Sequence, residues 1–237
     1  MKKFVRFLLG NKYKILIKIY WQIKSLLFPI FRKRRGTLLY AGINVADSFQ
    51  KIFYKYENVI GFEANPENYK KIKSYNNFQN VNIYNLALAK ENKILDLNLP
   101  NNGNNNASAS LSKFIFPDNN CKSVKSFKVK AVNLALFLEE KEIYNINTYI
   151  SDIEGYDLTV LKTIKKDYLD KGRIKIIQVE AVSNKIKNPY NDVSNYEYEF
   201  DSLLKDNYLK CGRGSGFVKE GDTIDEDNTL DLLYKLK

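Results

Sequence analysis

Between residues 37 and 237, apolar runs of five to eight residues alternate with stretches of helical period, and glycine, asparagine or an acid marks most of the joins. Short apolar runs bounded by turn residues read as buried strands, and apolar positions three and four apart read as helices. The first run, 37–41, stops at Gly42. Residues 47–56 read as a helix, and 58–62 as a second strand that ends on Glu63. Pro66 suits a first helical turn, so 66–75 reads as the next helix and 81–88 as the third strand. Residues 93–99 and 126–130 alternate apolar and polar side chains, as half-exposed strands do. The Asn-, Ser- and Gly-rich stretch 101–112 between them reads as a mobile loop of the kind that touches ligand. Further on, 134–140, 158–168 and 194–207 read as helices, and 147–151, 174–180 and 230–236 as strands. Strands alternating with helices of about ten residues predict right-handed βαβ units, hence a mostly parallel, doubly wound α/β sheet covered on both faces. Ligands of such sheets bind beyond the carboxyl ends of the strands. Three ends carry a signal: Gly42 with Asn44, Glu63, and Asp152 with Glu154. They are expected to converge on one crevice.

Residues 1–36 break this rhythm. Ile15, Ile19, Ile23 and Leu26 recur at helical spacing, but Lys14, Lys18 and Lys24 interrupt every apolar stretch. The longest uncharged run nearby, 25–31, is far short of the ~20 residues a membrane span needs. A cleaved leader is not expected either, because 4–10 is short and contains Arg6. This segment holds eleven Lys and Arg residues and no acid. The other 27 basic residues balance all 27 acids, so the whole formal charge of +11 sits here. The main domain, 37–237, is neutral on balance, and no nucleic-acid partner is expected for it. Two readings of 1–36 stay open. One is an interfacial helix on an anionic inner leaflet, with Tyr20 and Trp21 at headgroup level and the basic run 32–35 as a clamp. The other is a helix packed on the domain or on a second copy in a homo-oligomer. The expected location is cytoplasmic, peripheral on the inner face of the membrane under the first reading.

The composition removes several chemistries. The chain has no histidine, which excludes Ser-His-Asp relays and His-ligated zinc. Its two cysteines, Cys121 and Cys211, are far apart and suit a reducing compartment. What remains is a nucleotide-like pattern. Glu63 lies 21 residues after the Gly42 turn, the spacing at which a carboxylate accepts hydrogen bonds from ribose hydroxyls. The turn itself, Gly42-Ile43-Asn44-Val45-Ala46-Asp47, has one glycine where a pyrophosphate needs three, and Asp47 would repel phosphate. A nucleoside with a cationic or zwitterionic tail suits it, and S-adenosylmethionine meets that description.

These residues resemble the FkbM-type methyltransferases. Residues 40–46 (YAGINVA) are similar to that family's D-x-G-A-N-x-G motif, and 62–66 (FEANP) to its F-E-P-x-P. Residues 85–88 resemble its third-strand segment and 108–111 its Ser-rich loop. Residues 151–157 (SDIEGYD) resemble its K-x-D-x-E-G-x-E motif, and 176–180 the strand that follows. The resemblance implies a Rossmann-like fold with an antiparallel terminal strand. It implies S-adenosylmethionine as cofactor, held by Gly42, Asn44, Asp47, Glu63, Asn65, Ala87 and Asp152. Tyr40 departs from the family's first-strand acid and Ala46 from its second glycine, and Asp157 stands where the family has glutamate.

Methyl transfer to an alcohol is an in-line displacement in which the hydroxyl proton must be taken up. Without histidine, carboxylates are the first candidates. Asp152 and Glu154, two residues apart past a strand, would point the same way in an extended continuation, and each would raise the other's pKa. Asp152 is expected nearest the methyl group and the acceptor, with Glu154 as base or its orienter. A helix cap at Glu154 is the structural alternative, and Glu180 is a further candidate. Magnesium between the pair is open to oxygen ligation, but no metal is expected. The expected activity is O-methylation of a sugar hydroxyl in a surface glycan or its precursor. The rival is a catalytically degenerate scaffold or partner subunit at the membrane surface, motivated by Tyr40.

Overall fold

A computed structural model describes residue 16 and residues 19–100, 109–113, 124–224 and 229–237. Helix α1 runs over 19–31 and leads into β1 (Arg35–Ala41). The strands β2 (Tyr56–Phe62) and β3 (Val81–Tyr84) follow, with α2 (Pro66–Ile72) between them. Then come β4 (Ala87–Ala89), β5 (Lys93–Pro100), β6 (Val124–Asn133) and α3 (Leu134–Glu140). Next are β7 (Ile146–Ser151), α4 (Asp157–Thr163), β8 (Ile174–Val182) and α5 (Glu197–Leu204), and β9 (Tyr208–Gly214) and β10 (Thr229–Leu236) close the chain.

Seven strands form one sheet in the order β3-β2-β1-β7-β8-β10-β9. All its pairings are parallel except those of β10, which runs against both β8 and β9. The order reverses between β1 and β7, so the sheet has its switch point there. Period-two alternation splits the core between the two faces. On β1, Leu39 and Ala41 enter a cluster completed by Leu134, Leu158 and Phe200 of α3, α4 and α5. Leu38 and Tyr40 enter the opposite cluster, with Phe49, Phe53 and Ile72. Helix α1 lies over this second face. Its Trp21 stacks on Tyr54 with ring centroids 5.6 Å apart, and Phe28 meets the same ring edge-on at 5.3 Å. Ser25 between them is buried, and Arg34 donates to its carbonyl at 2.7 Å.

Several expected elements differ. Residues 47–56 form two 3-10 turns, Phe49–Lys51 and Phe53–Lys55, rather than a helix. Just before them Asn44 and Ala46 sit in the left-handed region (φ 56° and 66°), so the chain enters this stretch from a tight turn. The strand expected over 81–88 breaks at Asn85, whose amide donates to the carbonyls of Glu63 (2.8 Å) and Ala64 (3.2 Å). The chain thereby leaves the main sheet, and Ala87–Ala89 joins β6 and β5 in a three-stranded sheet, order β4-β6-β5, that the sequence did not announce. The helix expected over 158–168 ends at Thr163, whose hydroxyl donates to the Val160 carbonyl at 2.7 Å, and a π turn follows. Arg213 and Gly214 lie inside β9. The stretch 101–112 falls mostly outside the described residues, as do Ser108 and Cys121. Its end is not loose: Ser110 and Ser112 are buried, and the backbones of Ser110 and Asn98 exchange hydrogen bonds of 2.8 and 3.0 Å.

Candidate active site

The turn after β1 is shaped by close approach. Gly42 has φ 80°, and a Cβ there would lie 1.8 Å from the carbonyl oxygen of Asp152. Its N–H donates to the Phe62 carbonyl at 3.0 Å, which holds the turn against the end of β2. The left-handed Asn44 then aims its own N–H at Glu63 Oε2, 2.6 Å away. Asn65 N–H donates to Glu63 Oε1 at 2.8 Å. Each carboxyl oxygen is thus fixed by one backbone donor and keeps a lone pair for a ligand. Burial raises the Glu63 pKa to about 7, against the lowering effect of the Asn65 and Asn44 N–H groups. Asn68 donates to the Asn44 side chain at 3.0 Å and steadies it.

Past β7 the chain is not extended, contrary to the sequence-based expectation. Glu154 (φ 55°) and Gly155 (φ 97°) are both left-handed, and they fold the segment into a turn. A Cβ on Gly155 would enter the Tyr190 ring at 2.5 Å. That close approach brings the Tyr190 hydroxyl within 3.2 Å of Glu154 Oε2 as donor. Ser110 donates to the Glu154 carbonyl at 2.5 Å. Glu154 does not cap α4. Asn195 Oδ1 accepts from Leu158 N–H at 3.0 Å, and Asp157 Oδ1 accepts from the Ser151 hydroxyl at 2.5 Å.

Carboxyl groups accumulate along this edge. The register that pairs Ser151 with Val179 and Glu180 with Asp231 places Asp152, Glu180 and Asp231 side by side on neighbouring strands. Burial pushes the pKa of Asp152 up, although its side chain still meets solvent in the hollow. Glu154 is raised by burial and then by the charge of Asp152, with the Tyr190 hydroxyl working the other way. Glu180 is raised by burial and by its acidic neighbours, Asp157 is raised to about 7 by burial, and Asp231 to about 6.

One hollow joins the three predicted strand ends. Gly42, Asn44, Glu63, Ala87, Asp152 and Glu154 all line it. Its empty space, counted out through the open mouth into solvent, is about 620 Å³. Two residues expected to hold cofactor are elsewhere. Asp47 is exposed and outside the lining, because the left-handed Ala46 directs the chain away from the hollow. Asn65 is fully buried as the N-cap of α2, its side chain accepting from Glu67 N–H at 2.9 Å. Tyr40, the departure from the family's first-strand acid, does not plug the hollow. Its ring is buried in the second cluster, edge-on to Phe49 at 5.7 Å. Sequence reasoning missed the apolar wall, Leu86, Leu97 and Leu111, and also Tyr190 and Asn195. The strand alternation of 93–99 carried a signal for Leu97, but contacts 36 or 37 residues distant carried none. Among the described residues no group of three or more Asp, Glu, Cys or His has a metal-holding arrangement.

Comparison with known proteins bears on this arrangement. No curated protein matches the chain. Among solved structures it is similar to methyltransferase FkbM from Methylobacillus flagellatus, at 13% identity and a TM-score of 0.46, covering 89% of this chain and 47% of that one. The chain therefore spans about half the length of that protein. It is also similar to M. capricolum TrmK in complex with S-adenosyl-homocysteine (12%, TM-score 0.43, 92% of this chain and 67% of that one). A third likeness is to the N-methyltransferase NodS from Bradyrhizobium japonicum (7%, TM-score 0.45, 93% and 96%). A family model, the methyltransferase FkbM domain, matches residues 39–207, which include every residue lining the hollow. The chain belongs to the FkbM methyltransferase family, and with it to the S-adenosylmethionine-dependent methyltransferases.

Proposed function

We propose that the protein transfers a methyl group from S-adenosylmethionine to a hydroxyl of a sugar, in a surface glycan or its precursor. The observation that carries this reading is the pairing of Glu63 with Asp152 and Glu154 across one hollow. The residues present fit the cofactor. Glu63, held by two N–H groups, offers its remaining lone pairs to a ribose diol. Leu86, Leu97 and Leu111 supply an apolar wall for a purine. Asp152 offers negative charge to the ammonium and sulfonium end, the task the first-strand acid has in the family. Among the described residues no lysine or arginine lines the hollow, which suits a nucleoside and a neutral polyol rather than phosphates.

S-Adenosylmethionine, when bound, supplies an electrophilic methyl group on a sulfonium. The chain's own part is to align an acceptor hydroxyl about 3 Å from that methyl group and to take up its proton. Glu154 is the base: burial and Asp152 raise its pKa, and Tyr190 fixes one oxygen by donating to it. Asp152 orients the acceptor beside it. Carboxyl oxygens that accept hydrogen bonds are what a sugar's hydroxyl donors require, and this supports a sugar over an apolar acceptor.

Titration calorimetry with S-adenosylmethionine tests the reading. Binding heat that Glu63→Ala removes is expected. No heat at millimolar cofactor overturns the assignment, and methyl transfer to amines but not to sugar hydroxyls overturns the acceptor class.

A further inference from the structure

We propose that the outward face of α1 docks the protein onto an anionic lipid surface. The proposal rests on the chain's surface and charge, and stands apart from the reading of the hollow. Eight of the fifteen exposed large apolar side chains among the described residues belong to residue 16 and α1. Ile19, Ile23, Leu26, Leu27, Ile30 and Phe31 are among them, and Leu26, Ile30 and Phe31 are 73%, 71% and 77% exposed. At about 100° per residue, all eight fall within an arc of about 140°. Trp21, Ser25 and Phe28, which bind the helix to Tyr54, occupy the opposite side. One helix therefore has two apolar stripes, of which only one is covered by this chain.

Charge decides what covers the other. Residues 1–36 carry eleven cations and no anion. A second copy apposed through α1 would bring eleven like charges against eleven, which disfavours a homodimer there. A nucleic acid would satisfy the cations but has no use for a broad aliphatic stripe. An anionic bilayer satisfies both: the stripe enters the boundary between headgroups and acyl chains, while the flanking lysines and arginines meet lipid phosphates. No described helix is long and apolar enough to cross a membrane, so α1 lies in the surface plane. It sits beside the amino ends of β2 and β3, forming a hollow with Glu57, Asn58 and Asn80, whereas the active site opens at the carboxyl ends, about 20 Å along the strands. An acceptor anchored in the same membrane would have to project its sugar over that distance.

The test is flotation of the full chain with vesicles of phosphatidylglycerol and phosphatidylcholine in equal parts, and with phosphatidylcholine alone. Expected is binding to the anionic vesicles, at least tenfold weaker to the neutral ones and reduced by 0.5 M salt. The double variant Leu26→Glu, Ile30→Glu should lose at least tenfold in vesicle binding. Both side chains are exposed, so its thermal midpoint and its binding of S-adenosylmethionine should match those of the parent. Failure of the parent to float with anionic vesicles overturns the proposal, as does flotation that the double variant retains. Light scattering that shows a dimer dissolved by the double variant overturns it too, and makes a second copy the occupant.

Discussion

The two ends of the sheet violate the same rule in opposite senses. Folded chains bury apolar groups and expose charges. At the carboxyl edge this one buries acids: Glu63 is 6% exposed, Asp157 is sealed, and Glu180 Oε2 has neither solvent nor a partner. Beside the amino edge it exposes seven large apolar side chains on α1 alone. Each mismatch is one that a partner outside the chain would relieve. The shape of the violation distinguishes the partners. Acids facing one another in a concave hollow call for a small ligand with donors and positive charge. An apolar stripe on a convex helix calls for an extended surface.

The largest effect that would break the carboxyl edge alone is expected from Gly42→Ala. A Cβ 1.8 Å from the Asp152 carbonyl cannot be relieved by a side-chain rotation, because the obstacle is backbone. Stability should fall by about 3 kcal/mol or more, read from denaturant midpoints, and cofactor binding should go with it. Vesicle binding measured below the melting temperature should survive, since α1 packs on Tyr54 and not on this turn. Glu63→Ala comes next. Two hydroxyl hydrogen bonds to a charged group are worth about 3 kcal/mol together, so affinity for S-adenosylmethionine should drop about a hundredfold in calorimetry. The variant should remain folded, because the truncation opens the hollow toward Asn44 N–H and removes a buried carboxyl whose pKa burial raises.

Glu154→Gln keeps the acceptor of the Tyr190 hydrogen bond but removes the basic oxygen. Turnover should fall at least tenfold with cofactor affinity nearly unchanged. Unchanged turnover in both Glu154→Gln and Asp152→Asn removes the pair from proton transfer. The pH dependence of stability sharpens the contrast further. Glu63 and Asp157 have folded pKa values of about 7 and Asp231 about 6, all above their unfolded values near 4. The folded state therefore binds more protons than the unfolded state between about pH 4 and 7. Their stabilisation is complete below that window and is lost as pH rises through it. The thermal midpoint of the free protein should drop by about 5 °C or more from pH 5 to pH 8, as calorimetry would show. The exposed acids lowered by lysine partners, such as Asp96, act only below about pH 4 and do not disturb this trend.

How much of this was legible before the coordinates follows from the range of each signal. The Gly42 turn, Glu63 and the Asp152–Glu154 pair sit at strand ends, where local pattern and spacing are informative, and the hollow brings all of them together. The basic, amphipathic 1–36 segment was legible as well, down to the two competing readings of its helix. The structure shows that one stripe packs on the domain and leaves the other open. What was not legible depends on partners far along the chain. Ala87–Ala89 reads as a continuation of 81–84 until Asn85 is seen bonded to Glu63 and Ala64. Strand β9 hides behind Gly212 and Gly214, which have low strand propensity. A Cβ at Gly212 would lie 2.4 Å from the Lys219 carbonyl oxygen, so close backbone approach, rather than a turn, accounts for that glycine. Asn195 and Tyr190, which cap α4 and orient Glu154, carry no periodic mark at all.

Ala46 belongs to both regions and yields the smallest effect. Its methyl group is buried in the cluster that supports Trp21 and Phe28 of α1, while its φ of 66° shapes the turn that holds Glu63. An alanine in the left-handed region is strained by about 1 kcal/mol relative to glycine, and the family's motif has glycine at this place. Ala46→Gly relieves that strain but loses one buried methyl group, worth somewhat less than 1 kcal/mol, and frees the unfolded chain. The sum should lie within about 1 kcal/mol of the parent in denaturant midpoint. The informative readout is the pair of ligands. If the turn and the helix support are independent, vesicle binding and cofactor affinity should both stay within twofold. A loss of vesicle binding alone would show that the alanine methyl group props up α1, and would explain on packing grounds why this chain tolerates a strained residue where its family has a relaxed one.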